Sequence, residues 1–390
     1  MARDCQIWKQ VRKLNNDYLN LTQKIGVRLS HNLNNGTAML NSPIAFAVDP
    51  SNGQKYLANF YQRTGLISDE LQYEGYLPIV YEEPTDSNNG IANVRNLAFD
   101  PESSRVALVS QTSNLVRIYD KTQEAPPLAQ IGEYNIEGNV VDGQLNKPYD
   151  CVFLPGGNLL IASSRGRGAT SNFNQGHVTE YDSEGNLVAT RLEYRKDGVA
   201  KIGSNICSNP KRIRLDPSDS NYLWISDNTG VLKFNLTTGV TEDMIQTPTG
   251  IDGGSRQSFC FLSDGNMAIA DQELGGIYIL NPETKELVTA IDVRRYGGTD
   301  QVRDVIEIAP GLLAVTCWAS MTRNRVVVGV PVNEIISIAY SPLEIPDNYE
   351  IASDLLPNFY NQDTGSCEVP FDCLGLAKDF LAIPLRKICN

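Results

Sequence analysis

Apolar and polar residues alternate with period two through the middle of the chain, and the alternation recurs in six segments of one shape. Each has an apolar run, a tight turn and a second apolar run: FAVDPSNGQKYLAN (46–59), LAFDPESSRVALVS (97–110), CVFLPGGNLLIAS (151–163), IRLDPSDSNYLWIS (213–226), FCFLSDGNMAIAD (259–271) and IEIAPGLLAVTCW (306–318). Period two predicts strands, and Asp-Pro, Pro-Gly or Ser-Asp-Gly supplies turn chemistry, so each segment reads as a β-hairpin. Most copies are followed by two further strand-like runs, at 116–120, 178–192, 231–240, 276–291 and 325–340. In the second of these, Tyr181-Asp182-Ser183-Glu184-Gly185 forms the turn. Four strands per unit, repeating at intervals of about 46 to 62 residues, is the spacing of a β-propeller blade. The expected fold is therefore all-β: a six-bladed β-propeller with four-stranded blades over 41–341.

These hairpins, with their DP or PDG-like turns, resemble those of six-bladed propellers of the NHL and gluconolactonase-like superfamily. The resemblance covers about three quarters of the chain and implies the fold more than any chemistry, because such propellers host lactonases, lyases, receptor modules and structural hubs.

The flanks follow other patterns. In the N-terminal segment, 1–40, Ile7, Val11, Leu14, Tyr18, Leu21 and Ile25 fall at alternating gaps of four and three, with Lys9, Arg12, Lys13 and Asp17 off that seam. This spacing predicts an amphipathic helix that packs on its own propeller or docks a neighbour in an assembly. Residues 342–390 carry Pro342, Pro346, Pro357, Pro370 and Pro384 among scattered apolar residues, which predicts an extended C-terminal arm. The glycine-rich stretch 163–176 reads as a surface loop, since no lysine or helix pattern follows it.

Composition narrows the function classes. With 33 basic and 46 acidic residues among 390, the net charge of −13 opposes nucleic-acid coating. The opening MARDCQIWKQ has charges where a signal peptide has its apolar region, and no long apolar run follows. Cytoplasmic synthesis and no membrane insertion are expected. Eight cysteines are too sparse for a disulfide framework, and Cys151 and Cys260 lie in apolar runs where packing is their role. Two histidines, His31 and His177, exclude a multi-histidine metal centre within one chain.

In a propeller the innermost strands line a central channel, so residues just ahead of each repeat form a ring. Two places before the first apolar position stand Ile44, Arg95, Tyr149, Lys211, Gln257 and Asp304. The resemblance to lactonases implies a divalent ion held there by Glu, Asn and Asp. At the corresponding positions this chain has Asn41-Ser42-Pro43, Lys211 and Gln257, and a lysine facing the metal would oppose it. A shifted frame offers Asn209, Asp150 and Asp304 as oxygen donors instead. Arg95, Lys211, Arg212, Arg256 and Arg303 cluster ahead of four inner strands, and a basic ring there would hold a carboxylate, a phosphate or an acidic loop. The alternative is local pairing with carboxylates such as Asp304 or Asp252. No GxSxG occurs and neither histidine has a nucleophile in a motif context, while Asp227 and Asp271 read as turn or inter-blade acceptors.

The leading expectation is a non-enzymatic propeller without cofactor or metal. It would act as a structural or interaction subunit of a large assembly and oligomerise through its terminal arms. By its architecture it is similar to propeller proteins of bacteriophage tails, as nozzle, hub or fibre-attachment component, which implies incorporation into a virion. The alternatives are a metal-dependent lactonase with its metal in the channel, and a sugar- or receptor-binding propeller using Tyr149, Trp224 or Trp318.

Overall fold

The computed structural model describes residues 29–30, 43–59, 64–67, 73–80, 94–132, 145–164, 176–193, 200–228, 230–246, 256–272, 276–293, 302–317, 325–331, 335–337, 349–351, 360–361, 366–370 and 385–387. The described residues form an all-β propeller of small antiparallel sheets. Five blades are four-stranded meanders of consecutive strands. Blade one comprises Pro43–Val48, Lys55–Asn59, Gly65–Ile67 and Tyr73–Tyr76. Blade two comprises Val94–Phe99, Arg105–Ser110, Leu115–Asp120 and Ala129–Ile131. Blade three runs through Pro148–Phe153, Leu159–Ser163, His177–Tyr181 and Leu187–Leu192. Blade four has Arg212–Leu215, Tyr222–Asp227, Gly230–Asn235 and Val240–Ile245. Blade five has Arg256–Phe261, Met267–Asp271, Gly276–Leu280 and Leu287–Asp292.

Self-contained blades thus number five, not the six expected. Among the described residues the last repeat contributes three strands to its sheet, Val302–Ala309, Leu312–Cys317 and Arg325–Pro331. Its fourth and outermost strand is Leu29–Ser30, with Leu29 opposite Val326 and Ser30 opposite Arg325. The stretch near 335–340 that should have supplied that strand goes elsewhere, as Ile335–Ser337 pairs with Ser366–Pro370. A strand from the opposite end of the chain ties the two ends of the repeat array into one sheet and covers part of an edge that would otherwise offer unpaired N–H and C=O groups. The innermost strand of this mixed sheet neighbours those of blades five and one.

Beyond 341 the described pieces are short strands paired with one another: Tyr360–Asn361 with Ser366–Pro370, and Tyr349–Ile351 with Leu385–Lys387. The seam residues Ile7, Val11, Leu14, Tyr18, Leu21 and Ile25 lie outside the described residues, as does Trp318. Among the described residues no helix is long and apolar enough to cross a membrane.

The turns explain the recurrent aspartates. Oδ1 of Asp49, Asp100 and Asp216 accepts the backbone N–H of Ser51, Glu102 and Ser218 at 3.0, 2.9 and 2.9 Å. Each aspartate fixes a turn with its own side chain while the following proline presets φ. In the Pro-Gly-Gly turn of blade three, Gly157 has φ +91°, and a Cβ there would fall 2.3 Å from Arg105 Nη2. That left-handed φ favours glycine, and the guanidinium donates to its carbonyl at 2.9 Å.

The core is a series of seams between blades. Tyr56, Leu97, Phe99 and Tyr119 fill the first seam, and Phe153, Leu159 and Tyr181 contribute to the second. Ile213, Leu223 and Phe234 fill the third, Trp224, Phe259 and Met267 the fourth, and Ile277, Val305 and Val315 the fifth. Cys151 and Cys260 take part as small apolar side chains, as their positions in the apolar runs imply. Burial pushes the Cys260 thiol up to about 12. Between the mixed sheet and blade one, polar ties are prominent: Thr316 Oγ1 donates to the Ile44 carbonyl at 2.7 Å, and Phe46 N–H donates to Asp304 Oδ2 at 2.7 Å.

Candidate functional site

Five of the six described innermost strands begin with a departure from regular pairing that sets the lining of the channel. In blade one Pro43 lies opposite Asn59, but Ala45 lies opposite Ala58, so Ile44 is an extra residue. The same one-residue slip isolates Arg95, Tyr149, Gln257 and Arg303. In blade four Lys211 sits at the equivalent place, its N–H bonded to the Ser226 carbonyl at 3.0 Å, ahead of Arg212 opposite Ser226. A bulge lets two successive residues, which would otherwise face opposite sides, be aimed in the same direction.

Two tiers result. The outer tier is Ile44, Arg95, Tyr149, Lys211, Gln257 and Arg303. The inner tier is Ala45, Asn96, Asp150, Arg212, Ser258 and Asp304. Ten of these twelve line one cavity of about 240 Å³, counting its open mouth. Sequence comparison had placed Asp304 in the ring with Arg95. The slip falls one residue earlier than the apolar pattern implies, which puts Arg303 in that ring and Asp304 beneath it.

The inner tier is balanced and bonded across the channel. Arg212 reaches from blade four to Asp304 of the mixed sheet, Nη2 to Oδ2 at 3.3 Å, and its Nε lies 3.8 Å from Asp150 Oδ2 in blade three. Its Nη2 also donates to the Phe46 carbonyl of blade one at 3.4 Å. Arg214, two residues on, donates to Asp150 Oδ2 at 2.9 Å. Each aspartate also accepts a backbone N–H from the next blade, Asp150 from Ile213 at 2.8 Å and Asp304 from Phe46. Ser258 Oγ closes on Asp304 Oδ1. Burial pushes the Asp150 carboxyl up, against the pull of Arg214 and Arg212.

The outer tier gathers positive charge. Arg95 stacks on the Tyr149 ring at 4.3 Å from its centroid, and Arg303 Nη1 donates to Gln272 Oε1 at 2.6 Å. Burial, together with Arg95 and Arg303, brings the Lys211 ammonium down to about 8, while Tyr149 and Asp227 pull the other way. Burial and Arg95 lower Arg303 to about 9, opposed by Tyr149. Burial raises the Tyr149 phenol, but Arg95, Lys211 and Arg303 outweigh it and hold the group below its ordinary value.

Of the five basic residues singled out in the sequence, the structure brings four together around this cavity: Arg95, Lys211, Arg212 and Arg303. Arg212 belongs to the inner cluster rather than the mouth. Arg256 precedes the slip in blade five, its Cα opposite Asp271. Asn96 and Ser258, which sequence reasoning passed over, join the lining because the bulge turns them inward. Asp227 accepts the N–H groups of Ser208 and Asn209 at 2.7 and 2.9 Å and so holds the loop entering its own blade. Trp224 is buried and donates its Nε1–H to Asp216 at 2.9 Å, which suits packing and not stacking on a ligand.

These residues do not fit the divalent metal that the lactonase resemblance implies. The cavity's outer lining presents cations, and the carboxylates nearest it, Asp150 and Asp304, are already engaged by guanidinium and backbone N–H groups. Among the described residues no three His, Cys, Asp or Glu side chains converge as a metal-holding group.

No known family matches the sequence. No curated protein matches it either. Among solved structures, a chain from the crystal structure of a nidogen/laminin complex is similar with a TM-score of 0.49 and 10% identity, over 68% of this chain and 85% of that one. A protein of unknown function from Bacteroides caccae is similar with a TM-score of 0.44 and 14% identity, over 67% of this chain and 80% of that one.

Proposed function

We propose that this chain is a non-enzymatic interaction propeller that seats an anionic group of a partner at the mouth of its channel. It serves as a structural or attachment subunit of a larger assembly, with a bacteriophage tail nozzle, hub or fibre-attachment ring as the kind of assembly that suits its architecture. The observation that carries this reading is the convergence of Arg95, Lys211 and Arg303 with Tyr149 on one cavity above a charge-balanced floor. Guanidinium and ammonium groups held in a partly desolvated mouth attract an anion more strongly than the same groups would in water. The mixed sheet is read as the sixth blade, closing a ring whose terminal segments remain for contacts between copies or with other subunits.

The test is the native mass of the purified chain by light scattering, with a divalent-metal analysis of the same sample. A metal-free oligomer supports the reading. A monomer carrying one stoichiometric divalent ion overturns it and returns attention to lactone hydrolysis.

A further inference from the structure

The three outer-tier cations are not spread at random around the channel. Arg95 stands in blade two, Lys211 in blade four and Arg303 in the sheet closed by Leu29–Ser30, so that they occupy every second place around the axis. The places between hold Ile44, Tyr149 and Gln257, none of them charged in the ordinary range. Below them the Arg212–Asp304 and Arg214–Asp150 pairs make a floor without a large excess of either charge.

From this placement we infer that the mouth is a seat for a tetrahedral oxyanion, a phosphoryl or sulfuryl group, with three oxygens turned toward the three cations and the fourth toward solvent. The inference rests on the anion-seating reading above and names its ligand class. A carboxylate offers two oxygens in one plane and satisfies two of three converging donors, whereas a phosphoryl or sulfuryl group offers three. A dianion also offsets more of the repulsion among the cations. Burial, and after it that repulsion, already draws Lys211 and Arg303 below their ordinary values. The Tyr149 ring, with Arg95 stacked on one face, forms the wall between the Arg95 and Lys211 places.

The full-length chain, in Tris chloride near neutral pH at constant ionic strength, is titrated calorimetrically with sulfate, inorganic phosphate, phenyl phosphate, acetate and a glutamate-rich peptide. One site for sulfate and phosphate is expected, with acetate weaker by about tenfold or more. Arg95→Gln and Arg303→Gln, checked for a native melting transition, should each weaken sulfate by about tenfold. Phenyl phosphate matching phosphate would mark an ester-borne group as the source, and acceptance of the free ions alone would mark a free oxyanion; both support the seat. Sulfate binding unchanged in both variants would overturn it, since the ion would then lie elsewhere. Acetate or the peptide matching or exceeding sulfate would overturn the tetrahedral assignment while leaving the anion-seating reading intact, and this comparison needs no variant. Binding of no anion at all would overturn both.

Discussion

The two tiers of the channel are built from neighbouring residues on the same strands, yet they have opposite electrostatic character. In the inner tier each charge meets its complement, and the aspartates double as acceptors for N–H groups of the next blade. In the outer tier three cations from alternate blades share a cavity, where burial and the neighbouring guanidinium groups lower the proton affinity of Lys211 and Arg303. The first arrangement ties neighbouring blades together, whereas the second concentrates positive charge at the mouth, where the proposed anion would offset it. Stability and the proposed anion seat therefore reside one residue apart along the chain.

That contrast is open to direct attack. The largest effect should come from Arg212→Met, which leaves the buried Asp304 without its guanidinium partner while Asp150 keeps Arg214, and it is expected to cost about 3–5 kcal/mol of stability. Chemical denaturation measures it, and a loss below about 1 kcal/mol would mean that the inner tier does not hold the ring together. Asp304→Asn keeps an acceptor for Phe46 but removes the charge opposite Arg212, so a smaller loss of about 2–3 kcal/mol is expected in the same assay. Lys211→Met should do the reverse and stabilise the unliganded protein by about 1–2 kcal/mol, because it removes a buried cation held among other cations, while anion affinity falls. A destabilised variant would place Lys211 with the inner tier in function.

The smallest effect concerns pH. The Lys211 ammonium titrates at about 8 in the folded chain against 10.5 ordinarily. Between those values the unfolded chain holds the extra proton, so this group's contribution makes stability rise with pH there, whereas below about 8 its penalty is present in full. Melting curves should lose that upward component in Lys211→Met, and identical pH profiles would refute it.

Much of the architecture can be read from the sequence because its signals are local. Period-two runs and Asp-Pro turns lie within a dozen residues of one another, and each hairpin forms where they predict it. The channel lining is harder to read, because a bulge depends on pairing with the second strand and has no letter of its own. In the last repeat the segment that aligns with the other five begins at Ile306, and this makes Asp304 look like the partner of Arg95 when the slip falls on Arg303. Leu29–Ser30 is harder still. Two residues carry no periodicity, and their partners Val326 and Arg325 lie far away in sequence. The basic character of the mouth was nevertheless visible, because it needed only residue type and approximate position.

The pairing of Leu29–Ser30 with the strand near residue 325 also bears on how the molecule comes into being. The two partners lie about 300 residues apart, a separation at which loop closure is slow and high contact order delays folding. On a ribosome, the earliest-made strand of the propeller must wait until the last repeat emerges before it can find its neighbour. During that interval the early strand is unpaired, and once Arg325–Pro331 is made its edge too is open to strands of other nascent chains until the two meet. Exchange of that strand between two copies would give a domain-swapped dimer from the same contacts. The final stitch is thus where a slow kinetic phase and a choice between self-closure and exchange should appear.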